Sequence, residues 1–292
     1  MVKIRAFFEM IKFEHTIFAL PFAYLGMLLA AKGWPGWWTF GWITVAMAAA
    51  RTAGMSLNRL IDQQIDARNP RTANRPLQAG KISARTTVIG AVISIIILGL
   101  AAWLLNPVAF YLWPGALVLL VGYPYTKRFT WLSHFILGFT DGLAPMGAWV
   151  AVTGTFWLAS DWPAWLLLIA LTLWIGGFDL IYACQDVEFD RREKLHSIPA
   201  RFGIALALRL AQVCHLLTVA LLAWVGLWFG LSWPYWIGLA AVTALFVWEH
   251  SLVKPDDLSK VDMAFFNVNG YISLTILFAT LVALFVGGHQ VS

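Results

Sequence analysis

Charged residues are scarce in this sequence. Only 12% of its 292 residues are Asp, Glu, Lys or Arg, against roughly 25% in a typical soluble domain, and 60% are apolar. This deficit excludes a soluble globular protein. Cysteine is also rare, and because Cys184 and Cys214 lack the spacing of a metal site we expect both to be small core residues. No linker or low-complexity tract divides the chain, so we predict one membrane-embedded domain over residues 1–292.

Apolar runs of the roughly 20 residues that cross a bilayer recur along the whole chain. We therefore predict an all-α, polytopic membrane protein. The nine predicted spans are residues 15–32, 37–57, 84–105, 107–122, 131–153, 162–182, 204–230, 232–249 and 264–286. The first run is a full span that follows charged residues, so no cleavable signal peptide is expected.

The positive charges predict the orientation of these spans. Of 20 Lys and Arg, all but Lys32 lie in or beside the N-terminus and alternate loops. This bias places the N-terminus and those loops in the cytoplasm and the C-terminus outside. The opposite loops gather tryptophans, as an interfacial belt does: Trp34, Trp37, Trp38, Trp157, Trp162, Trp233 and Trp236. The net charge of +5 is thus topogenic and does not indicate nucleic acid. No obligate protein partner is inferred.

Two cytoplasmic loops carry carboxylates at regular spacing. Asn58, Asp62 and Asp66 are four residues apart, and on a helix they share one face. The second set, Tyr182, Asp186 and Asp190, repeats this spacing 124 residues later. Four predicted spans separate the sets, which suggests duplication of a four-helix unit, over about residues 15–125 and 131–250.

Carboxylates at this spacing repel one another on a helix, so a ligand is the better explanation for them. Oxygen donors without His or Cys suit Mg²⁺, which proteins hold with one or two carboxylates plus substrate phosphates. The same loops contain cations that suit phosphate oxygens: Arg68, Arg71, Arg75, Arg191, Arg192 and Lys194. One such loop alone is typical of solvated charge, but two on one side of the membrane indicate a diphosphate site.

The motifs resemble those of the UbiA superfamily of intramembrane prenyltransferases, most closely bacterial 4-hydroxybenzoate polyprenyltransferases. The first motif is N-x-x-x-D-x-x-x-D followed by the stretch from Asn69 to Leu77, and the second includes an upstream Asp179. The resemblance implies a helical bundle around a central cavity with a lateral opening. It also implies Mg²⁺-dependent transfer of a polyprenyl group from an allylic diphosphate to an aromatic acid, in quinone biosynthesis.

The resemblance also assigns roles to individual residues. Asn58, Asp62 and Asp66 would hold one Mg²⁺, and Asp186 and Asp190 another. We expect phosphate contacts from three cations: Arg68, Arg75 and Lys127. Tyr182 is a candidate to stabilise an allylic cation.

Two charged residues inside predicted spans complete the candidates. Arg51 is a cation within the second span, where an unpaired charge is costly, and it would bind the acceptor carboxylate or pair with Asp141 or Asp179. Asp141 would orient or deprotonate the phenol, or make a structural hydrogen bond. We assign no histidine a role.

Two alternatives stay open. The same chemistry on another acceptor, such as a naphthoate, homogentisate, haem or a lipid glycerol, would use the same motifs. A transporter would instead use Arg51 and Asp141 to line a substrate path. Polar groups concentrated at one membrane face favour the enzyme.

Overall fold

The computed structural model describes residues 2–11 and 16–286, and within these ranges the regular secondary structure is helical apart from one isolated bridge between Lys254 and Asp257. The predicted all-α fold is confirmed. Lys12 and the first residue of the first predicted span lie outside the described ranges. The α-helices in chain order are α1 (Val2–Met10), α2 (Thr16–Ala31), α3 (Trp37–Ile61), α4 (Gln63–Arg68), α5 (Ala84–Leu105), α6 (Pro107–Thr126), α7 (Ser133–Thr153), α8 (Trp162–Ala183), α9 (Val187–Arg192), α10 (Ile198–Phe202), α11 (Ile204–Trp228), α12 (Trp233–Ser251) and α13 (Asn269–Val286).

The long helices coincide with the predicted spans to within a few residues, because local signals fix their ends. Ser83 accepts a hydrogen bond from the backbone N–H of Thr86 at 3.1 Å and so caps α5. Asn106 caps α6 in the same way, and Gly154 ends α7 in the left-handed conformation. Among the described residues, six helical segments are long and apolar enough to cross a membrane, and they include α5, α6, α7, α8, α11 and α13. The chain is therefore a multi-pass membrane protein.

Each long helix contacts the next along the chain and α13 contacts α2, so the helices form a ring, across which α2 also packs extensively against α7. Small residues allow a close approach between α7 and α8. A Cβ atom added at Gly138 would lie 2.3 Å from the carbonyl oxygen of Thr172, and one at Gly142 would lie 2.8 Å from that of Leu168. Glycines four residues apart on α7 thus let the two backbones touch, as is common in membrane bundles.

Each carboxylate motif spans a break between two helices. The spacing predicts an uninterrupted helical face, but α3 ends at Ile61 and α4 begins after Asp62, whose φ and ψ are −95° and 8°. In the second motif a short 3₁₀ turn (Cys184–Asp186) separates α8 from α9, and Asp186 has φ −101° and ψ 6°. The middle aspartate of each motif thus occupies the same bend.

The tryptophans predicted to form the belt lie mostly on the surface. Trp37, Trp38, Trp157 and Trp233 are all more than half exposed. Trp34 and Trp162 are also exposed, whereas Trp236 is partly buried and donates to the carbonyl oxygen of Leu231 at 3.0 Å. These positions, beside the ends of α2, α3, α8 and α12, fit an interfacial role.

Candidate active site

The carboxylates of the first motif are nearly inaccessible and each contacts a cation. Asp62 is 1% exposed, and its Oδ2 lies 2.6 Å from Nζ of Lys127. Asp66 Oδ2 accepts from Nη1 of Arg75 at 2.6 Å. Asn58 Oδ1 accepts from Nη1 of the buried Arg59 at 3.2 Å. Burying charges at this density is costly unless they are paired, so this loop is built around opposite charges.

The second motif is bound by residues that come from the first loop. Asp186 Oδ1 accepts from Nδ2 of Asn69 at 2.9 Å, and both of its oxygens accept from the guanidinium of Arg71. Arg71 Nη1 also donates to the hydroxyl of Tyr182 at 2.6 Å. Burial has the largest single effect and lowers the pKa of Arg71, but the hydrogen bonds to Asp186 and the nearby charges of Tyr182, Asp186 and Asp66 together outweigh it, so the pKa lies above its ordinary value. The side chain therefore stays charged.

Asp190 and a third loop complete a continuous polar layer. Asp190 Oδ2 accepts from the hydroxyl of Ser197 at 2.6 Å. The backbone N–H of His196 donates to the carbonyl oxygen of Lys127 at 2.7 Å, which joins the loop after α9 to the loop after α6. Three loops distant in sequence thus meet, and the two motifs lie on one side of the bundle.

An apolar cavity of about 640 Å³ opens beside this layer. Its walls come mainly from α3, α5, α6, α7, α8 and α13, and include Met55 and Asp179, each three residues before the first residue of a motif. The polar side chains in its wall are few: Arg51, Tyr123, Thr140, Asp141, Asp179 and Asn269. A mostly apolar chamber with a few convergent polar groups, next to a charged layer, is the form expected for a lipid-tailed anionic substrate.

Arg51 and Asp141 face this cavity without a direct ion pair between them. The Nε atom of Arg51 is buried and has no hydrogen-bond partner among the described residues. Asp141 is the carboxylate that acts most strongly on Arg51. Asp179 is not a partner of Arg51, since its Oδ2 lies 2.7 Å from Nδ1 of His134. A buried cation with an unused donor at a cavity wall is available for an anionic ligand.

The structure brings most of the predicted site residues together. The carboxylates of both motifs, with Arg75, Lys127 and Tyr182, lie in the polar layer, while Arg51, Asp141 and Asp179 line the cavity. Arg68 differs from the others. Its guanidinium pairs with Glu193 at 3.2 Å and its side chain is 58% exposed, so it joins the two motif loops at the surface and contacts no motif carboxylate here.

Several contacts within the site were not predicted from sequence. Arg71 and Asn69 contact Asp186 directly, although both lie in the stretch quoted for the resemblance. His134 was given no role, yet it joins Asp179 to the backbone N–H of Ile198, 3.3 Å from its Nε2. The proline-containing stretch after α4 was a sequence signal for Asn69 and Arg71. No nearby sequence feature indicated a role for His134.

The donor chemistry of the two motifs fits Mg²⁺. Four carboxylates and one amide oxygen converge within this layer. The nearby Cys184 thiol donates to the carbonyl oxygen of Leu180, and His134 is already engaged by Asp179. Oxygen-only ligands of this kind favour hard divalent cations over zinc or copper.

Comparison with known proteins agrees with the two motifs. Residues 19–271 match the family model described as the UbiA prenyltransferase family. A 4-hydroxybenzoate octaprenyltransferase from Cupriavidus necator is 32% identical over 88% of this chain and 88% of its own length.

Solved structures share the same fold. A UbiA homolog from Aeropyrum pernix K1 superposes with a TM-score of 0.84 at 34% identity, over 92% of this chain and 98% of that one. A UbiA homolog from Archaeoglobus fulgidus, bound to DMAPP and Mg²⁺, superposes at 0.69 with 18% identity, over 96% and 99% of the two chains. The resemblance stated from the motifs is confirmed, and the chain belongs to the UbiA prenyltransferase family of membrane enzymes.

Proposed function

We propose that this enzyme transfers a polyprenyl group from an allylic polyprenyl diphosphate to the ring of 4-hydroxybenzoate or a similar aromatic acid, in quinone biosynthesis. The observation that carries the proposal is the joining of the two carboxylate motifs by Arg71 and Asn69 above a long apolar cavity. The name of the Cupriavidus relative supports the acceptor, and the DMAPP and Mg²⁺ of the Archaeoglobus homolog support the donor and the metal.

In this proposal the polar layer holds the diphosphate. Asn58, Asp62 and Asp66 with Asp186 and Asp190 would hold Mg²⁺, which when bound neutralises charge that develops on the leaving diphosphate. Arg75 and Lys127, with Arg71, supply N–H donors to phosphate oxygens. Each of these cations contacts a motif carboxylate, so each already points into the layer.

The cavity protects and positions the organic reactants. Its apolar walls accept the polyprenyl tail and exclude water from the allylic cation. The ring of Tyr182 stacks on Phe265 at 4.1 Å, and the guanidinium of Arg71 lies over it, 4.7 Å from its centroid. When Arg71 turns to phosphate, this ring becomes free to stabilise the allylic cation. Arg51 binds the carboxylate of the acceptor, and Asp141 orients its phenol or takes the proton from it.

The orientation of the chain and the origin of its fold are part of the proposal. The distribution of Lys and Arg supports nine spans with a cytoplasmic N-terminus and an active site that faces the cytoplasm of a bacterial inner membrane. The matching bends at Asp62 and Asp186 support duplication of a four-helix unit within a single domain.

Prenyl transfer by the purified protein in lipid tests the reaction. Labelled geranyl or farnesyl diphosphate is offered with a panel of aromatic acids, with and without Mg²⁺. Metal-dependent product with 4-hydroxybenzoate is expected. Product only with a naphthoate or homogentisate would support prenyl transfer but show that the acceptor is not 4-hydroxybenzoate. Absence of product and of diphosphate release with every acceptor would contradict the proposal.

A further inference from the structure

A buried cluster outside the proposed active site joins α11 to α12. It consists of His215, Glu249 and His250, and one ligand atom from each lies within 4.8 Å of the others. His215 is 2% exposed and Glu249 is fully inaccessible, while His250 is partly exposed. None of the three lies in the carboxylate layer, and none is needed for the chemistry proposed above.

The hydrogen bonds fix which atom of His215 is free to accept. Its Nε2 lies 3.2 Å from the carbonyl oxygen of Trp174, which can only accept, so Nε2 carries the proton. Nδ1 then has the single lone pair of a neutral imidazole. Nε2 of His250, 2.9 Å away, already occupies the direction of this lone pair.

Glu249 therefore has an oxygen that no hydrogen bond satisfies. Its Oε2 is buried, lies 3.4 Å from Nδ1 of His215, and has no hydrogen-bond partner among the described residues. A proton on Oε2 could not donate to Nδ1, because that lone pair faces His250. A buried carboxylate oxygen left in this state costs free energy. A cation that accepts one lone pair from each of the three residues removes this cost.

We propose that His215, Glu249 and His250 bind a transition-metal ion of the Zn²⁺ class. Ligand bonds of 2.0–2.2 Å in a tetrahedral site place ligand atoms about 3.3–3.6 Å apart. The 3.4 Å between Glu249 Oε2 and His215 Nδ1 matches this, and a small rotation of His250 opens its 2.9 Å contact. Two imidazoles and one carboxylate select Zn²⁺ or its neighbours over Mg²⁺, which prefers oxygen ligands.

The residues behind the ligands orient them as in established metal sites. Glu249 Oε1 accepts from Nδ2 of Asn269 at 2.8 Å, and Asn269 Oδ1 accepts from Nε1 of Trp174 at 2.6 Å. Trp174 also supplies the carbonyl group that fixes His215. Such outer partners set the tautomer and direction of a metal ligand. Because Trp174 and Asn269 also line the cavity, the bound ion would hold this part of the cavity wall in place.

Metal titration of the full-length protein tests the proposal. Protein made without a polyhistidine tag is treated with chelator, supplied with excess Mg²⁺ and titrated with Co²⁺ as a visible substitute for Zn²⁺. We expect one equivalent to bind and to give the visible absorption of a tetrahedral nitrogen and oxygen site. The same result is expected in Asp62→Asn/Asp186→Asn protein, whose Mg²⁺ layer is disabled. Bound metal is counted by mass spectrometry after dialysis.

Two variants and one control connect the metal to these residues. His250→Gln and Glu249→Gln each remove one ligand and are expected to weaken Co²⁺ binding by about 100-fold or more. His196→Gln changes an exposed histidine in the loop after α9, outside the cluster, and should leave Co²⁺ binding unchanged. Absence of Co²⁺ and Zn²⁺ binding in the Asp62→Asn/Asp186→Asn protein, or undiminished binding in both ligand variants, would overturn the proposal. If the wild-type protein binds no metal and Glu249→Gln has the same melting temperature as the wild type, the cluster holds a proton on Glu249 in place of a metal ion.

Discussion

Replacement of Arg51 by Ala tests how the acceptor is held. Arg51 lies at the cavity wall, and its buried Nε has no partner among the described residues, so its hydrogen-bonding capacity is available to a ligand. A hydrogen bond to a charged group contributes about 1.5–3 kcal/mol. At about 1.4 kcal/mol for each factor of ten, Arg51→Ala should raise the KM for 4-hydroxybenzoate roughly 10- to 150-fold.

The donor side of the reaction should respond differently. Arg51 makes no ion pair with a motif carboxylate, so the KM for the prenyl diphosphate should change less than threefold, which is about 0.6 kcal/mol. Steady-state kinetics with each substrate varied in turn give both constants. Arg51→Met, which preserves more of the side-chain volume, separates lost charge from lost packing.

An acceptor without a carboxylate isolates the contact. With 4-hydroxybenzamide, wild-type and Arg51→Ala enzymes should differ little, because the charged partner of Arg51 is absent from the substrate. An equal rise in both KM values, or an equal loss with acid and amide, would refute carboxylate binding. Arg51 would then be a structural partner of Asp141, its strongest acidic neighbour.

Three further predictions concern the metal layer and the packing. Asp62→Asn or Asp186→Asn should abolish turnover without loss of membrane insertion, measured by diphosphate release and detergent-solubilised yield. Glu188→Gln is the matched control, since this carboxylate lies within the second motif but its side chain is 96% exposed, and its activity should be retained. Chelation with EDTA should stop turnover and excess Mg²⁺ should restore it, whereas activity that survives EDTA would exclude a metal-dependent reaction. Gly138→Ala should destabilise the fold by about 1–3 kcal/mol and lower the melting temperature, because its Cβ would lie 2.3 Å from the carbonyl oxygen of Thr172. Gly41→Ala, which has no atom within 4 Å of its new Cβ, should not do so, and an equal effect of the two would contradict the packing argument.

The helices and both motifs could be predicted from sequence because their signals are local. Runs of apolar residues, caps such as Ser83 and the four-residue spacing of the aspartates depend only on near neighbours in the chain. The bends at Asp62 and Asp186 were not predicted, since that spacing is equally compatible with a straight helix. The pairing of Arg68 with Glu193 at an exposed position was not predicted either, and its contact with phosphate stays a prediction.

The partners within the site depend on residues far apart in the chain. Asp62 pairs with Lys127 across 65 positions, and Asn69 reaches Asp186 across 117. Sequence spacing carries no information about such distances, because the order of helices around the ring decides which loops meet. The contact of His134 with Asp179 also depends on residues far apart in the chain. The same is true of His215, Glu249 and His250, which come together only because α11 packs on α12.

Sequence alone thus determined the fold class and the family and gave the prediction of which carboxylates bind metal, since each follows from composition or from motifs within a single segment. The tertiary structure decided which cation faces which carboxylate, where the cavity lies and which buried groups lack a partner. These properties arise from contacts between helices, and their energies depend on burial, which becomes defined only when the ring of helices closes.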